Sequence, residues 1–444
     1  MNELFEDFAK ARQARNGYEL AQTLSPVPPA DKPHRLLRVS QSTNSHSVKG
    51  DIKHYIKTSV SHRGKLSQDA LTGWVEVYAA YWKAIEEILA GEHGQSSWTK
   101  VYEAWRDLTS MLVRGYNNFG FEAWTIPSLY MVGKYLRLFA IKADAEPKRR
   151  TPAHQGFMLI GDDFDPDAER QSQLRDAEQH LKRIFSLCLT DRAPLEESRK
   201  WGIYFVVNLL FKTYFKLGSA SMSKTILTSL AAYEQRGDLP PLASFPKSQR
   251  VTFRYYQGVL FFLEENYANA EERLTEAWQM CAHGAKENLE RILMYLIPCR
   301  LLTSHMLPSQ QLLAPFPRLQ KLFDPLTRYI RQGDLRSFDQ ELQKGEDEFV
   351  RHRIYLTLER GRDVAMRNLL RKVFIAGGFE ESADASAPPQ RRTRIPLDEF
   401  QAAISMGSGA QTTDPDEGLM KGYIARERGM MVLSKKGAFP GTGV

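Results

Sequence analysis

Cysteine is scarce in this sequence, and its spacing excludes a disulfide framework. Only Cys188, Cys281 and Cys299 occur among 444 residues, and such widely separated thiols are typical of reduced cysteines in an intracellular protein. Cys281 and His283, together with Cys299 and His305, could be imagined as a zinc site, but their spacing matches no structural zinc pattern. Because Cys281 falls on an apolar helical stripe, we favour core packing for it and expect no metal.

Long apolar runs and catalytic signatures are also missing. No stretch approaches the roughly 20 apolar residues that cross a bilayer. The N-terminal segment MNELFEDFAKARQARNGYEL alternates acidic and basic residues and contains no apolar signal core. Neither a glycine-rich phosphate loop nor a histidine pair at metalloprotease spacing occurs. We therefore expect no membrane contact, no cofactor and no enzymatic activity, and we expect a location in the cytosol or nucleus.

No strong excess of one charge is present either. The formal net charge is +7 and the isoelectric point is about 9.1, with 25% charged and 42% hydrophobic residues. These values are ordinary for a globular chain. The basic balance permits a nucleic-acid or acidic-protein partner, although most lysines and arginines fit solvated helix faces. The length favours two domains, or one elongated solenoid with a cap.

The most informative pattern is a helical hairpin between Phe253 and Pro298. Apolar residues at helical spacing predict two antiparallel helices that are separated at Asn266, followed by the start of a third. Small residues would allow close approach of the two backbones while large ones fill the space around them, which is the pattern of a tetratricopeptide-type repeat. The residues expected to pack this repeat are Gly258, Phe261, Tyr267, Ala270, Leu274 and Ala277. Since one hairpin cannot bury its own apolar face, neighbouring repeats must stack on it.

Further helices are predicted on both sides of this hairpin. A short helix starts near Leu4 and ends near Gly17, a surface connection covers 22–49, and helices follow over 68–90, 97–114 and 127–142. Large aromatic residues at helical spacing in these segments are interpreted as core. The predicted organisation is an N-terminal helix with its connection (1–50), N-terminal helical repeats with a flexible insertion at 144–170 (51–200), repeats that contain the central hairpin at 251–298 (201–350), and a C-terminal subdomain (351–444).

The C-terminal segment has the pieces of a winged helix. Residues 351–374 predict one long basic amphipathic helix, 377–393 predict a disordered segment, and a short helix runs through Phe400. Apolar residues then alternate on both sides of Gly429, which predicts a β-hairpin with a charged tip. The predicted fold is therefore mainly α, a right-handed helical solenoid of tetratricopeptide-like repeats that ends in a winged-helix subdomain with a small β-hairpin.

Several strings make the chain resemble a known family. YYQGVLFFLEENYANAEERLTEAWQMC, RNLLRKVF and KGYIARERGMMVLSKKGAFP are similar to segments of the PCI-domain family of COP-nine signalosome subunit twelve. That family includes relatives in the mRNA-export complex TREX-two. The N-terminal string LFEDFAKARQARNGYELAQTLSP is similar as well, so the resemblance covers nearly the whole chain.

The resemblance implies a non-catalytic scaffold or adaptor in a nuclear complex that couples transcription to mRNA export. The implied partners are another PCI-domain protein, bound through the winged-helix face, and a small acidic, largely disordered subunit shared with the proteasome lid. An alternative is an accessory subunit of the signalosome that supports cullin deneddylation. The run Lys148-Arg149-Arg150 could act as a nuclear import signal, but a solvated loop is the favoured interpretation.

A second hypothesis is direct binding to the RNA or DNA backbone, without sequence preference, through the C-terminal subdomain. Basic side chains that could contact phosphates lie on the predicted amphipathic helix and the hairpin. These candidates are Arg367, Arg371, Lys372, Lys421, Arg426, Arg428, Lys435 and Lys436. A solvated wing explains the same residues equally well.

The chain departs from the family pattern at one place. In the family, an acidic DPDE-like stretch precedes an apolar helix of about three turns, the recognition helix of a winged fold. Here the stretch that ends at Glu417 runs directly into Gly418, and 405–418 has no apolar periodicity. We interpret this as a missing exon or a misplaced splice junction, and a real isoform is the alternative. If the sequence is real, we expect an incomplete winged helix with Val432 and Leu433 poorly covered.

Overall fold

The fold is mainly helical with one small antiparallel sheet near the C-terminus, as a computed structural model shows. The structure describes residues 1–60, 66–146, 171–379, 391–408, 419–435 and 437–442. These residues form two compact units, Met1–Phe253 and Arg254–Val444. The predicted mainly helical class is confirmed.

The first unit consists of consecutive helices. In chain order they are α1 (Asn2–Gln13), α2 (Gly17–Thr23), α3 (Arg35–Gln41), α4 (Val48–Val60), α5 (Gln68–Glu92), α6 (Trp98–Asn118), α7 (Pro127–Ala145), α8 (Ser172–Leu189), α9 (Ile203–Lys216) and α10 (Ser223–Gln235). A further helix, α11 (Lys247–Leu263), begins in this unit. The longest of them, α5, packs against α6, which in turn packs against α7.

Polar side chains fix the starts of several of these helices. The hydroxyl of Ser67 accepts a hydrogen bond from the backbone N–H of Ala70 at the start of α5. Ser97 caps α6 through the N–H of Lys100 in the same way, and the side chain of Asn16 accepts from two N–H groups of α2. Such caps satisfy N–H groups that have no partner inside the helix, and each stabilises a helix by about 1 kcal/mol.

Aromatic side chains form the core where the N-terminal helix packs on α5. The rings of Phe5 and Tyr78 lie 5.0 Å apart, and those of Phe8 and Trp74 lie 5.4 Å apart, both edge to face. Trp74 also stacks on Phe121 at 4.2 Å. All five side chains are buried, so the interpretation of the aromatic residues as core holds for Trp74 and Tyr78. Edge-to-face and stacked pairs add stability beyond their buried area.

Two expectations for the N-terminal region are wrong. The segment 22–49 is not a surface connection, because it contains α3 and buries Leu24, Leu36 and Val39. The first helix ends at Gln13, and Gly17 starts α2 instead of ending α1. The physical reason is close packing: a Cβ atom on Gly17 would collide with the carbonyl oxygen of Trp124.

The second unit contains shorter helices and the sheet. Its helices are the remainder of α11, then α12 (Tyr267–Met280), α13 (Lys286–Thr303), α14 (Gln310–Leu313), α15 (Pro317–Gln332), α16 (Leu335–Lys344), α17 (Glu346–Arg351), α18 (Tyr355–Glu359), α19 (Gly361–Ala376) and α20 (Leu397–Ser408). Helices α15, α16 and α20 all pack against α19, which makes α19 the centre of this part of the unit.

The central hairpin of the sequence analysis corresponds to α11 and α12, with α13 after them. Asn266 separates the two helices and caps α12 through the N–H of Asn269. Gly258 provides the close approach, because a Cβ atom there would lie 2.7 Å from Cγ of Leu274 and 3.2 Å from its backbone nitrogen. Ala270, Leu274 and Ala277 are fully buried, whereas Phe261 and Tyr267 are half-buried.

The prediction of one long helix over 351–374 is wrong. The segment contains the end of α17, all of α18 and most of α19. Arg353 adopts a left-handed backbone with φ of 57°, and the N–H of Ile354 donates to the carbonyl of Phe349 at 2.9 Å. This geometry ends a helix, and it turns the side chain of Ile354 into the core, where it is fully buried.

The sheet has three strands, β1 (Arg394–Pro396), β2 (Gly422–Ala425) and β3 (Met430–Leu433), in the order β1-β3-β2. Both pairings are antiparallel, with Ile395 opposite Met431 and Tyr423 opposite Val432. The hairpin around Gly429 is therefore confirmed, and Gly429 takes the positive φ of 57° that its turn requires. No strand was predicted at β1.

Several predictions fall on residues that the structure does not describe. These are the insertion at 147–170 with its basic run, most of the segment 377–393, and the junction at 409–418. The four predicted segments of the chain stay a prediction, and the two structural units divide after Phe253, inside the third of them.

Candidate partner and nucleic-acid interface

The outer strand of the sheet exposes two large apolar side chains. Tyr423 is 65% exposed and Ile424 is 46% exposed. Both lie on β2, which is an edge strand among the strands that the structure describes, since it pairs only with β3 there. On β3, by contrast, Met431 and Leu433 are buried. An unpaired edge with exposed apolar side chains is a surface that can accept a protein partner. We call Tyr423 and Ile424 the edge pair.

The chain that follows β3 contacts the residue before β2 and the helix α19. The N–H of Lys421 donates to the carbonyl of Ala438 at 2.8 Å, and the N–H of Ser434 donates to the carbonyl of Lys421 at 2.9 Å. Phe439 is fully buried, with its ring 5.6 Å from that of Phe374 on α19. Leu433 is only 3% exposed, so the expectation that it would be poorly covered is wrong. Val432 is half-buried.

The candidate phosphate contacts on α19 differ in accessibility. Arg367 is 6% exposed, and burial, reinforced by the nearby Arg371, lowers the pKa of its guanidinium. Arg371 donates to the carbonyl of Thr442 at 3.4 Å. Lys372 is exposed and donates to the carbonyl of Gln332 at 2.7 Å. Burial removes Arg367 from any surface that a nucleic acid can reach.

The candidates on the hairpin are more accessible. Lys421, Arg428 and Lys435 are exposed, and among the described residues none of the three forms an ion pair. Lys436 and the side chain of Arg426 lie outside the described part of the chain. The structure therefore brings three free cations to the β2–β3 hairpin but does not join them with Arg367 into one surface.

The described ranges offer neither a metal site nor a membrane span. Within them, no group of three or more His, Cys, Asp or Glu side chains could hold a metal ion. Cys188, Cys281 and Cys299 are all buried free thiols, and burial raises the pKa of Cys188 and of Cys299 to about 12. No helix in the same ranges has the length and apolar character needed to span a bilayer.

Known proteins similar to this chain share one family. A "Protein CSN12 homolog" of Gibberella zeae is 69% identical, and one of Neurospora crassa is 58% identical, each over the full length of both chains. The first alignment spans 458 positions against 444 residues, so at least 14 of its positions have no residue in this chain. A "PCI domain-containing protein 2" of Xenopus laevis is 29% identical over 72% of this chain and 73% of its own length.

A scan of family models finds no match. The full-length relatives are nevertheless decisive, because an identity of 58–69% over the whole chain is accompanied by the helical fold and C-terminal sheet described above. The chain belongs to the PCI-domain family of the CSN12 homologues.

Proposed function

We propose that this protein is a non-catalytic adaptor subunit of a nuclear PCI complex that couples transcription to mRNA export. Family membership supports this role. The similarity to PCI domain-containing protein 2 shows that the chain has relatives that are not named for the signalosome. The observation that carries the proposal is the edge pair, which leaves apolar surface on the family's C-terminal domain open to a partner. The partner is a second PCI-domain protein, joined by a small acidic subunit.

Affinity purification tests this role directly. The tagged full-length protein is recovered from nuclear extract treated with nuclease, and its partners are identified by mass spectrometry. We expect a large export scaffold and a small acidic protein. Recovery of cullin-directed signalosome subunits in their place would contradict the export role and support the alternative, an accessory part in deneddylation.

The edge pair provides a matched control within the same experiment. Tyr423→Ser removes an aromatic side chain that is 65% exposed, and Tyr18→Ser removes one that is 60% exposed on the first unit. Because neither ring is buried, both variants should fold. We expect loss of the PCI-domain partner with Tyr423→Ser alone. Equal recovery with both variants would show that the partner does not use the edge pair.

A second function, binding of the RNA or DNA backbone, is favoured by the free cations of the hairpin. Each lysine or arginine that contacts a phosphate releases counterions, so the affinity falls with salt concentration. We expect each of Lys421→Gln, Arg428→Gln and Lys435→Gln to reduce the slope of log affinity against log salt by about one. Lys53→Gln, at an exposed lysine of the first unit, should leave the slope unchanged. Affinity that is equal at low and high salt would refute phosphate contact.

A further inference from the structure

A polar cavity of about 660 Å³ lies within the first unit, between the loop after α8 and the end of α10. Its size falls in the range of small-molecule sites, about 300–1,000 Å³. The charged and aromatic side chains that line it are Asp191, Arg192, Lys200, Tyr233, Arg236 and Asp238. Neither the family assignment nor the proposed adaptor role assigns a function to this cavity.

Lys200 is the unusual member of this lining. It sits on the turn Arg199–Gly202 and is only 7% exposed, yet no carboxylate of the described residues lies within ion-pair distance of its ammonium. The ammonium instead faces the ring of Tyr233, whose centroid lies 5.9 Å from Nζ. Most of the Lys200 side chain is covered, but its Nζ is not one of the fully buried nitrogens without a hydrogen-bond partner, so the ammonium is open to the cavity and can bind an anion there.

The carboxylate of Asp191 does not neutralise Lys200, because it already forms an ion pair with Arg199. Asp191 accepts hydrogen bonds from the guanidinium and the backbone N–H of Arg199, both at 2.7 Å, and from the hydroxyl of Ser198 at 2.9 Å. Burial alone would raise the pKa of Asp191, but these hydrogen bonds outweigh it and hold the pKa at about 2. The carboxylate is thus a fixed part of the cavity wall, paired with Arg199.

Charge balance indicates what the cavity takes. With Asp191 paired to Arg199, the lining retains the cations Arg192, Lys200 and Arg236 against the single carboxylate of Asp238. The excess of two positive charges matches a dianion. Arg192 and Arg236 are exposed at the rim, where guanidinium groups can bind two oxygens at once, and the ammonium of Lys200 offers a point charge deeper inside.

We propose that this cavity binds a dianionic phosphate group, with Lys200 as the central cation and Arg192 and Arg236 as rim contacts. A carboxylate monoanion would neutralise only half of the excess charge. The phosphate group can be free, on an amino-acid side chain or on a nucleotide, and the ring of Tyr233 supplies a wall against which a larger ligand can lie. Phosphate binding here does not depend on the adaptor role.

Isothermal titration calorimetry tests the proposal. The full-length protein in chloride buffer is titrated separately with inorganic phosphate, O-phospho-L-serine and adenosine monophosphate. We expect at least one to bind with one-to-one stoichiometry, and the tightest binder identifies the source of the phosphate. Because the second ionisation of a phosphate ester has a pKa near 6, binding should strengthen between pH 5.5 and pH 7.5. Failure of all three probes to bind at about 10 mM would overturn the proposal.

Variants separate this cavity from general surface attraction. Lys200→Met keeps the approximate length of the side chain and removes its charge, and we expect at least a tenfold loss of affinity. Arg236→Gln alters an exposed side chain, so this variant should fold even if Lys200→Met does not. We expect Arg236→Gln to weaken phosphate binding severalfold. Lys53→Met is the matched control at an exposed lysine. Equal affinity in wild type, Lys200→Met and Arg236→Gln would overturn the proposal.

Discussion

The close contact between α11 and α12 predicts that Gly258 and Leu274 are energetically coupled. In Gly258→Ala, the new methyl group would lie 2.7 Å from Cγ and 3.0 Å from Cδ2 of Leu274. Neither the branched centre of this fully buried side chain nor the backbone nitrogen 3.2 Å away can move aside freely. Overpacking of this kind costs about 1–3 kcal/mol, while alanine gains up to about 1 kcal/mol over glycine in a helix interior.

The expected net effect of Gly258→Ala is therefore a loss of about 0–2 kcal/mol in the free energy of unfolding. Leu274→Ala should cost about 2–5 kcal/mol, because it removes a fully buried side chain and leaves a cavity. In the double variant, the clash with Cγ and Cδ2 disappears, the 3.2 Å contact with the backbone nitrogen remains, and the helical preference of alanine is kept. The double variant should then be more stable than Leu274→Ala alone, by up to about 1 kcal/mol.

Urea unfolding followed by circular dichroism measures all four proteins of this cycle. We expect a coupling energy of about 1–3 kcal/mol between the two positions. Gly50→Ala is the control, because Gly50 lies in α4 and a methyl group added there would have no neighbour within 4 Å in the part of the chain that the structure describes. Only the helical gain should therefore appear. Strictly additive effects of Gly258→Ala and Leu274→Ala would refute the idea that these helices meet at the glycine.

Three further predictions concern acid stability, thiols and the gene. The pKa of Asp191 in the folded protein, about 2, lies below its ordinary value of 3.8, so Asp191 stabilises the folded protein above pH 4, and this stabilisation is lost as the pH falls from 4 to 2. After allowance for solvent screening, it amounts to about 1–2 kcal/mol in the free energy of unfolding. Acid unfolding of Asp191→Asn should lack this loss of stability between pH 4 and pH 2. Ellman's reagent at pH 8 should react slowly with the native protein and label every thiol after unfolding, because all the cysteines are buried; rapid native labelling would contradict this. Sequencing the transcript across codons 410–425 should reveal a product longer by about a dozen codons, consistent with a recognition helix of about three turns, and the present length alone would support a real isoform.

The central hairpin could be predicted from sequence because local spacing alone defines it. Gly258 and Leu274 stand on facing stripes of two helices whose separation is marked by Asn266, and both stripes follow the helical period. The hairpin around Gly429 was equally accessible, since alternation and a central glycine are local signals. In each case the residues that carry the pattern are close together in the chain.

The errors arise where tertiary packing decides the local backbone. Gly17 looks like a helix end, but its missing side chain serves a contact with Trp124, more than a hundred residues away. The left-handed backbone of Arg353 is not visible in a sequence, because arginine rarely adopts it. β1 is only three residues long and ends in Pro396, which removes a hydrogen-bond donor, so pairing with β3 determines it.

The same distinction separates the two candidate sites. The cations of the hairpin could be identified from sequence because they belong to one short segment, but only the structure shows that Lys421 is accessible while Arg367 is buried. The cavity around Lys200 had no sequence signal at all, because its walls come from two segments and its meaning depends on Asp191 already being paired with Arg199. A basic residue indicates a binding site only when its side chain is accessible and the acidic side chains near it are paired with other residues. In this protein the cavity around Lys200 meets these conditions better than the buried Arg367 on α19 does.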